Sequence, residues 1–281
     1  MSLNISSEKI GNPLLIDLLR QLNHTFSRIG NDFFVIGATA RDIILQVLAD
    51  TSAKRKTRDL DIAIAVTDWD KYDEICKVLI NDGFRKSLHH AHRFYYGNYE
   101  VDLVPYGAVA KADDNIYWPP EETIAMSVKG FDEVLSEAIS VIVNNEFKIK
   151  IASLHGLFLL KLNAWIDRNI RTNKDAEDMW YIIDNYYFAN EQRNIHPEVY
   201  ELEDFDLIVG GAFWMAHDIA DLLGKNHLIY YRDILAKEAS LEEDSRLVIQ
   251  ILETHGALTS KTVVKTLKII TDVLSQRIND D

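Results

Sequence analysis

The hydrophobic pattern changes period near the middle of the chain. In "TRDLDIAIAV", residues 57–66, every second position from Leu60 onward is large and apolar: Leu60, Ile62, Ile64, Val66. That is the period of a half-buried strand. "DFFVIG" reads as a short buried strand ending at Gly37, and "HRFYYGNYEVDLVPYG" as a hairpin turning at Gly97-Asn98. "AISVIVNNEFKIKIAS" reads as a second hairpin, turning at Asn144-Asn145. Between these lie stretches with helical spacing. They are "PLLIDLLRQLNHTF", "TARDIILQVLA" with Thr39 as N-cap, and "DWDKYDEICKVLIND" capped by Thr67 or Asp68 and stopped before Gly83. Beyond about residue 152 the strand signals stop. "LHGLFLLKLNAWIDR", "KDAEDMWYIIDNYY", "LIVGGAFWMAHDIADLL", "LEEDSRLVIQILETH" and "KTVVKTLKIITDVLSQR" all carry helical spacing. Mixed elements followed by consecutive helices predict an α+β fold, with an α/β domain over 1–150 and a helical domain over 151–281.

Composition narrows the class. The 281 residues suffice for one large domain or two ordinary ones, and 47% hydrophobic with 26% charged is the balance of a soluble globular protein. No apolar run reaches about 18 residues, so no membrane span is expected. The opening "MSLNISSEKIGNPLL" has no basic segment followed by an apolar one, so no secretion leader is expected. The lone cysteine, Cys76, excludes an intrachain disulfide and fits a reducing cytoplasm; its simplest role is a small residue on a helix face. The formal charge of −14 argues against non-specific gripping of nucleic acid, while a local basic pocket stays open.

The candidate chemistry begins with Asp59 and Asp61. Residues two apart on a strand point the same way, so two like charges share one face. A pair of hard carboxylate oxygens suits Mg²⁺, and a bound cation would relieve their repulsion. Asp102, between Val101 and Leu103 on the second strand of the first hairpin, faces the same side if its neighbours face the core. Three such carboxylates can hold two metals, as in phosphoryl transfer of the polymerase kind. Upstream, "VIGATARD" joins a strand to a helix through Gly37 and Ala38, which allow close approach of a ligand. A helix N-terminus there offers free N–H groups to phosphate, and the Thr39 hydroxyl can add a bond. Arg41 either adds charge or pairs with Asp42.

Strand, "GAT", helix, basic loop, "DLD" strand, then a lone Asp on a later strand: this order resembles the nucleotidyltransferases of the DNA polymerase β superfamily. Ala38 stands where that pattern more usually has Gly or Ser, and the spacer before Asp59 is long. A second segment, "LLKLNAWIDRNIRTNKDAEDMWYII", is similar to the helical segment of AbiEii/AbiGii-type toxin nucleotidyltransferases, with matches at Lys161, Ala164, Arg168, Lys174, Asp175 and Asp178. The likeness covers roughly residues 30–185.

The resemblance implies a mixed sheet with flanking helices and a helical C-terminal domain that closes over the nucleotide. It implies transfer of a nucleoside monophosphate from an NTP to an acceptor hydroxyl. Asp59, Asp61 and Asp102 would hold Mg²⁺, with Asp102 also a candidate acceptor of the nucleophile's proton. Lys161 would reach the triphosphate, and Asp175 would orient Lys161 or the acceptor. Gly37, Ala38, Thr39, Arg41 and Arg58 would line the phosphates. The acceptor would be a tRNA end or a small molecule, and an antitoxin protein is an implied partner.

Plainer roles stand beside these. Asp59 and Asp61 can be a solvated strand face, and Asp102 an exposed edge residue. Lys161, on the apolar run "LFLLKL", can extend its head to water. Asp175 and Asp178 can be first-turn residues favoured by the helix dipole. His90 and His92 of "HHAHR" would share a polar strand face rather than a zinc site. Trp118 of "YWPPEE" packs or stacks a base, and "KRKTR" is a solvated loop or meets phosphate. Two other function classes remain: an aminoglycoside-type small-molecule nucleotidyltransferase, and a nucleotide-binding module without turnover.

Overall fold

The computed structural model describes residues 2–51, 58–122, 125–193, 195–202 and 205–280. The chain divides into two units, Met1–Ser153 and Leu154–Asp281. Residues 54–57 of the basic run lie outside the described residues; of that run only Arg58 is described, and it is exposed.

The first unit alternates short strands with amphipathic helices. In chain order these are β1 (Ser2–Ile5), α1 (Ser7–Ile10), α2 (Pro13–Ile29), β2 (Phe34–Ile36), α3 (Gly37–Leu48), β3 (Asp59–Ala65), α4 (Trp69–Asn81), β4 (Arg85–Lys86) and β5 (Arg93–Tyr96). There follow β6 (Tyr99–Tyr106), β7 (Asn115–Tyr117), β8 (Ala125–Ser127), α5 (Phe131–Ser136), β9 (Ile139–Val143) and β10 (Phe147–Ile151). Of these, β1, α1, β4, β7, β8 and α5 are additions to the predicted elements. Eight strands form one mixed sheet in the order β1-β9-β10-β2-β3-β6-β5-β4, and β7 pairs with β8 apart from it. The apolar stripe of α2 (Leu18, Leu19, Leu22) and the alternate residues Leu60, Ile62 and Ile64 of β3 are fully buried. The Asn12 side chain accepts from the Leu15 amide at the start of α2, and Pro13 presets its first turn. Both hairpins turn where expected: Tyr96 pairs with Tyr99 across Gly97-Asn98, and Val143 with Phe147 beyond Asn144 and Asn145. Those two asparagines adopt φ 53° and 57°, a conformation short polar side chains tolerate.

Three local expectations are corrected. Asp68, not Thr67, caps α4, its carboxylate accepting from the Lys71 amide. Thr39 is not an N-cap: α3 already begins at Gly37, and the Thr39 hydroxyl donates instead to the Asp59 carbonyl at 3.1 Å. His90 and His92 do not sit on a strand; β5 starts at Arg93, after a turn.

The second unit holds α6 (Leu154–Arg168), α7 (Lys174–Asn190), a 3₁₀ turn (Pro197–Glu201), α8 (Leu207–Leu222), α9 (Lys225–Ser240), a 3₁₀ turn (Glu242–Asp244), α10 (Arg246–Thr254) and α11 (Ser260–Asp280). No strand occurs among its described residues. Helix α8 lies hard against α7 at Gly211, where a Cβ would stand 3.0 Å from the Ile183 carbonyl and the Tyr187 amide. Helix α9 is an addition to the predicted elements, and it buries Glu238 beside Leu235 and Ala239. That buried carboxylate accepts from the Ser245 hydroxyl (2.7 Å) and the Leu247 amide (3.2 Å). Ser245 in turn caps α10, so the segment "LEEDSRLVIQILETH" is a turn and a helix rather than one helix.

Candidate active site

Strands β3 and β6 run parallel at the centre of the sheet, with Asp61 opposite Asp102 and Asp59 opposite Glu100. On the far side of β6, Arg93 of β5 is opposite Asp102; on the near side of β3, Ile36 is opposite Asp61. One line across the sheet therefore reads Ile36, Asp61, Asp102, Arg93. Register partners on neighbouring strands point the same way, so Asp61, Asp102 and Arg93 share a face with Asp59 and Glu100. Adjacent strands lie about 4.8 Å apart, which sets the spacing of these carboxylates. Asp59 is exposed, and Asp61, Glu100 and Asp102 are half-buried. Val101 and Leu103, flanking Asp102, face the core at 1% and 0% exposure.

Sequence reasoning missed Arg93 and Glu100. The Arg93 guanidinium forks onto Asp102, Nε to Oδ1 at 2.7 Å and Nη2 to Oδ2 at 2.8 Å, and its Nη1 donates to Glu100 Oε2 at 2.5 Å. The hydrogen bond to Asp102 raises the Arg93 pKa against the opposing effect of burial, and the charges of Asp102, Glu100 and Asp59 add to the rise. Glu100 stands two residues before Asp102, so period-2 alternation was the available signal for it. Arg93 carried no motif; only strand register brings it to Asp102. His92 is also near, its Nε2 3.8 Å from Asp102 Oδ2. Burial lowers its pKa, with Asp102 pulling the other way.

Gly37 closes the other end of the line. It adopts φ +70°, and a Cβ built there would stand 2.1 Å from Asp61 Oδ2. The strand-to-helix turn therefore requires glycine twice, for its left-handed backbone and for room beside the Asp61 carboxylate. Ala38 is half-buried beside it. The first amides of α3 lack partners within the helix, the usual anion-binding feature of a helix start. Arg41 is 1% exposed and bonds Asp42, Nε at 2.8 Å and Nη2 at 2.6 Å to the same oxygen. The pair with Asp42 is thus present, one of the two roles the sequence leaves open to Arg41. Trp118 is 6% exposed, packed against Trp69, Tyr72 and His92.

In the helical unit, Lys161 of α6 meets Asp178 at 2.7 Å and Asp175 at 3.3 Å. Arg168 forks onto Asp175, at 2.7 and 2.8 Å. Asp175 and Asp178 are 0% and 2% exposed. They are buried ion-pair partners, more than first-turn residues favoured by the dipole.

The aspartates fit a hard divalent cation by donor type. Arg93 takes one lone pair of each Asp102 oxygen, and an ionised carboxylate offers about four. Their ligand atoms are not gathered, however: among the described residues, the group of three that comes within 4.8 Å is His196, Glu198 and His217.

No family model matches the chain, and no curated protein matches it. Solved structures do. The solution structure of the antibiotic-resistance factor ANT(2'')-Ia is 12% identical, covering 63% of this chain and 83% of that one, with a TM-score of 0.34. The crystal structure of ANT(2'')-Ia in complex with adenylyl-2''-tobramycin is 12% identical, covering 63% and 88%, with a TM-score of 0.38. Likeness at this distance identifies no activity. Among the described residues no helix is long and apolar enough to cross a membrane.

Proposed function

We propose that this chain is a Mg²⁺-dependent nucleotidyltransferase of the polymerase β-like type, moving a nucleoside monophosphate from an NTP to an acceptor hydroxyl. The observation that carries the reading is the register of Asp61 with Asp102 on neighbouring parallel strands, with Asp59 on the same face and a glycine at the Asp61 carboxylate. Asp59, Asp61 and Asp102 would hold the divalent ions. When bound, such ions supply charge neutralisation at the transferring phosphoryl group and activation of the attacking oxygen. The protein's share is positioning. Gly37 and Ala38 bring the first amides of α3 to a phosphate, and Arg93 fixes the plane of Asp102. Thr39 serves through its backbone, its hydroxyl being engaged by Asp59. Arg58, exposed next to Asp59, is a surface cation among the described residues.

Lys161 and Asp175 enter through their likeness to the AbiEii-type helical motif. The toxin assignment, an antitoxin partner and a cytoplasmic setting rest on the same likeness and on the lone cysteine. The charge of −14 weighs against a nucleic-acid acceptor, a tRNA end included, and so favours a small hydroxylated molecule.

The test is incubation with each labelled NTP, Mg²⁺ and, in separate arms, total RNA or aminoglycosides. Label transfer that requires Mg²⁺ and vanishes in Asp59→Ala supports the reading, and the productive arm names the acceptor class. Transfer in neither arm, or equal transfer by Asp59→Ala, overturns it.

A further inference from the structure

His196, Glu198 and His217 belong to the helical unit, and the proposed nucleotidyl transfer uses none of them. Each offers one ligand atom, and these atoms lie within 4.8 Å of one another. We infer that these three side chains form a binding site for a divalent transition-metal ion of the zinc class, separate from the aspartate cluster.

The donor set is two imidazoles and one carboxylate, which suits Zn²⁺ far better than Mg²⁺. The two imidazoles stack with centroids 3.8 Å apart and planes 18° apart. Two protonated rings in that arrangement would repel, whereas neutral rings carry the lone pairs a metal needs. Glu198 Oε1 lies 3.0 Å from His196 Nδ1, already beside the first imidazole.

The backbone is organised around this arrangement. His196 adopts φ 51°, the left-handed region that residues with a side chain seldom enter. Its carbonyl accepts from the Trp214 indole at 3.4 Å. Trp214 lies three residues before His217 on α8, so one face of that helix anchors the His196 backbone and presents the second imidazole. The Phe213 ring meets the His217 ring edge-on at 4.6 Å. Two nitrogens each bound to a tetrahedral zinc stand about 3.4 Å apart, so binding would draw ligand atoms now within 4.8 Å together and turn the two rings out of their stack until their lone pairs converge. His196 and Glu198 side chains are 29% and 49% exposed, which leaves an entry path and room for water as a fourth ligand.

The test is titration of the full, tag-free chain, stripped with EDTA and dialysed, with Zn²⁺ against a chromophoric chelator. The expected result is one ion per chain held by this site, with affinity at least about tenfold weaker in both His217→Ala and Glu198→Gln, and unchanged in Asp59→Ala. Co²⁺ in place of Zn²⁺ is expected to give visible absorption that His217→Ala removes. Circular dichroism of the metal-free variants checks that they fold; Glu198→Gln, at an exposed position, decides the matter if His217→Ala does not. Absence of Zn²⁺ binding, equal binding by a folded variant, or loss confined to Asp59→Ala overturns the inference. The Asp59→Ala arm keeps it independent of the proposed transferase.

Discussion

Arg93 on β5 grips Asp102 on β6 through two parallel N–H···O bonds, of 2.7 and 2.8 Å. The same guanidinium reaches Glu100. A strand face with Asp59 and Asp61 two residues apart calls for a positive charge, and the chain supplies one from two strands away. Replacing Arg93 with Ala leaves four carboxylates on one face without it. The expected cost is about 1–2 kcal/mol, since the side chains are partly solvated. Mg²⁺ should then protect the variant more than the parent. Thermal unfolding with and without Mg²⁺ checks this: the variant should melt lower in EDTA and recover a larger share of the gap on adding Mg²⁺. An equal Mg²⁺ response would mean the four acids do not act as one cluster.

Gly37 is the position where a single methyl group is expected to be felt in the site. Gly37→Ala places a Cβ on the Asp61 carboxylate in a backbone conformation of φ +70°. The left-handed backbone alone costs about 1–2 kcal/mol. The displaced carboxylate should lower the proposed nucleotidyl transfer by about 10²-fold, the usual effect of an ångström-scale misplacement. Comparing kcat with Tm separates the two: activity should fall far more than stability.

Much of this was legible because the chemistry coincides with local periodicity. The alternation of Leu60, Ile62 and Ile64 fixes which way Asp59 and Asp61 point, and Val101 and Leu103 do the same for Asp102. That all three share one face is an inference from the hairpin, and the parallel register of β3 with β6 is how it comes about. Arg93 and Glu100 were not legible, because only long-range register brings the first to its partner and no motif marks the second. The Thr39 cap was misread because a Ser/Thr/Asp cap is the common helix start. Here Gly37 turns the chain directly from strand to helix, leaving Thr39 to bond β3. His196 and His217 stand twenty-one positions apart across a turn and a helix, a spacing that matches no zinc motif.

Asp175 joins Lys161 and Arg168 while itself fully buried. Asp175→Asn keeps the volume and removes the charge, leaving Lys161 with Asp178 and Arg168 without its fork. Arg168 is half-exposed and can turn to water, so the loss should be about 2–3 kcal/mol, below that of a fully buried pair. Urea unfolding checks this. If Asp175 also orients Lys161 toward a triphosphate, KM for NTP should rise more than stability alone explains, measured well below the unfolding midpoint.

Acid sensitivity should come first from His155. Burial holds its pKa down to about 4, from an ordinary 6.5, against the pull of Asp218. Tyr186 donates its hydroxyl proton to Asp218, so its oxygen accepts from His155 Nδ1 at 3.0 Å, which fixes the tautomer. Between pH 6.5 and 4 the unfolded chain binds a proton at this residue that the folded chain refuses. Stability from this group is therefore complete above about pH 6.5 and declines as the pH drops toward 4. The side chain is 17% exposed, and with that discount the loss from pH 7 to pH 5 should be roughly 1–2 kcal/mol. Asp218 follows at lower pH. Burial raises its pKa, but the Arg193 hydrogen bond and the other contacts outweigh this and hold it below 3.8, so its contribution vanishes only below that value. His92 and His217 share the direction of His155, so the measurement is a comparison of parent with His155→Gln. Urea unfolding at pH 7 and pH 5 should show a smaller pH penalty in the variant, and an unchanged penalty would assign the acid sensitivity to other groups.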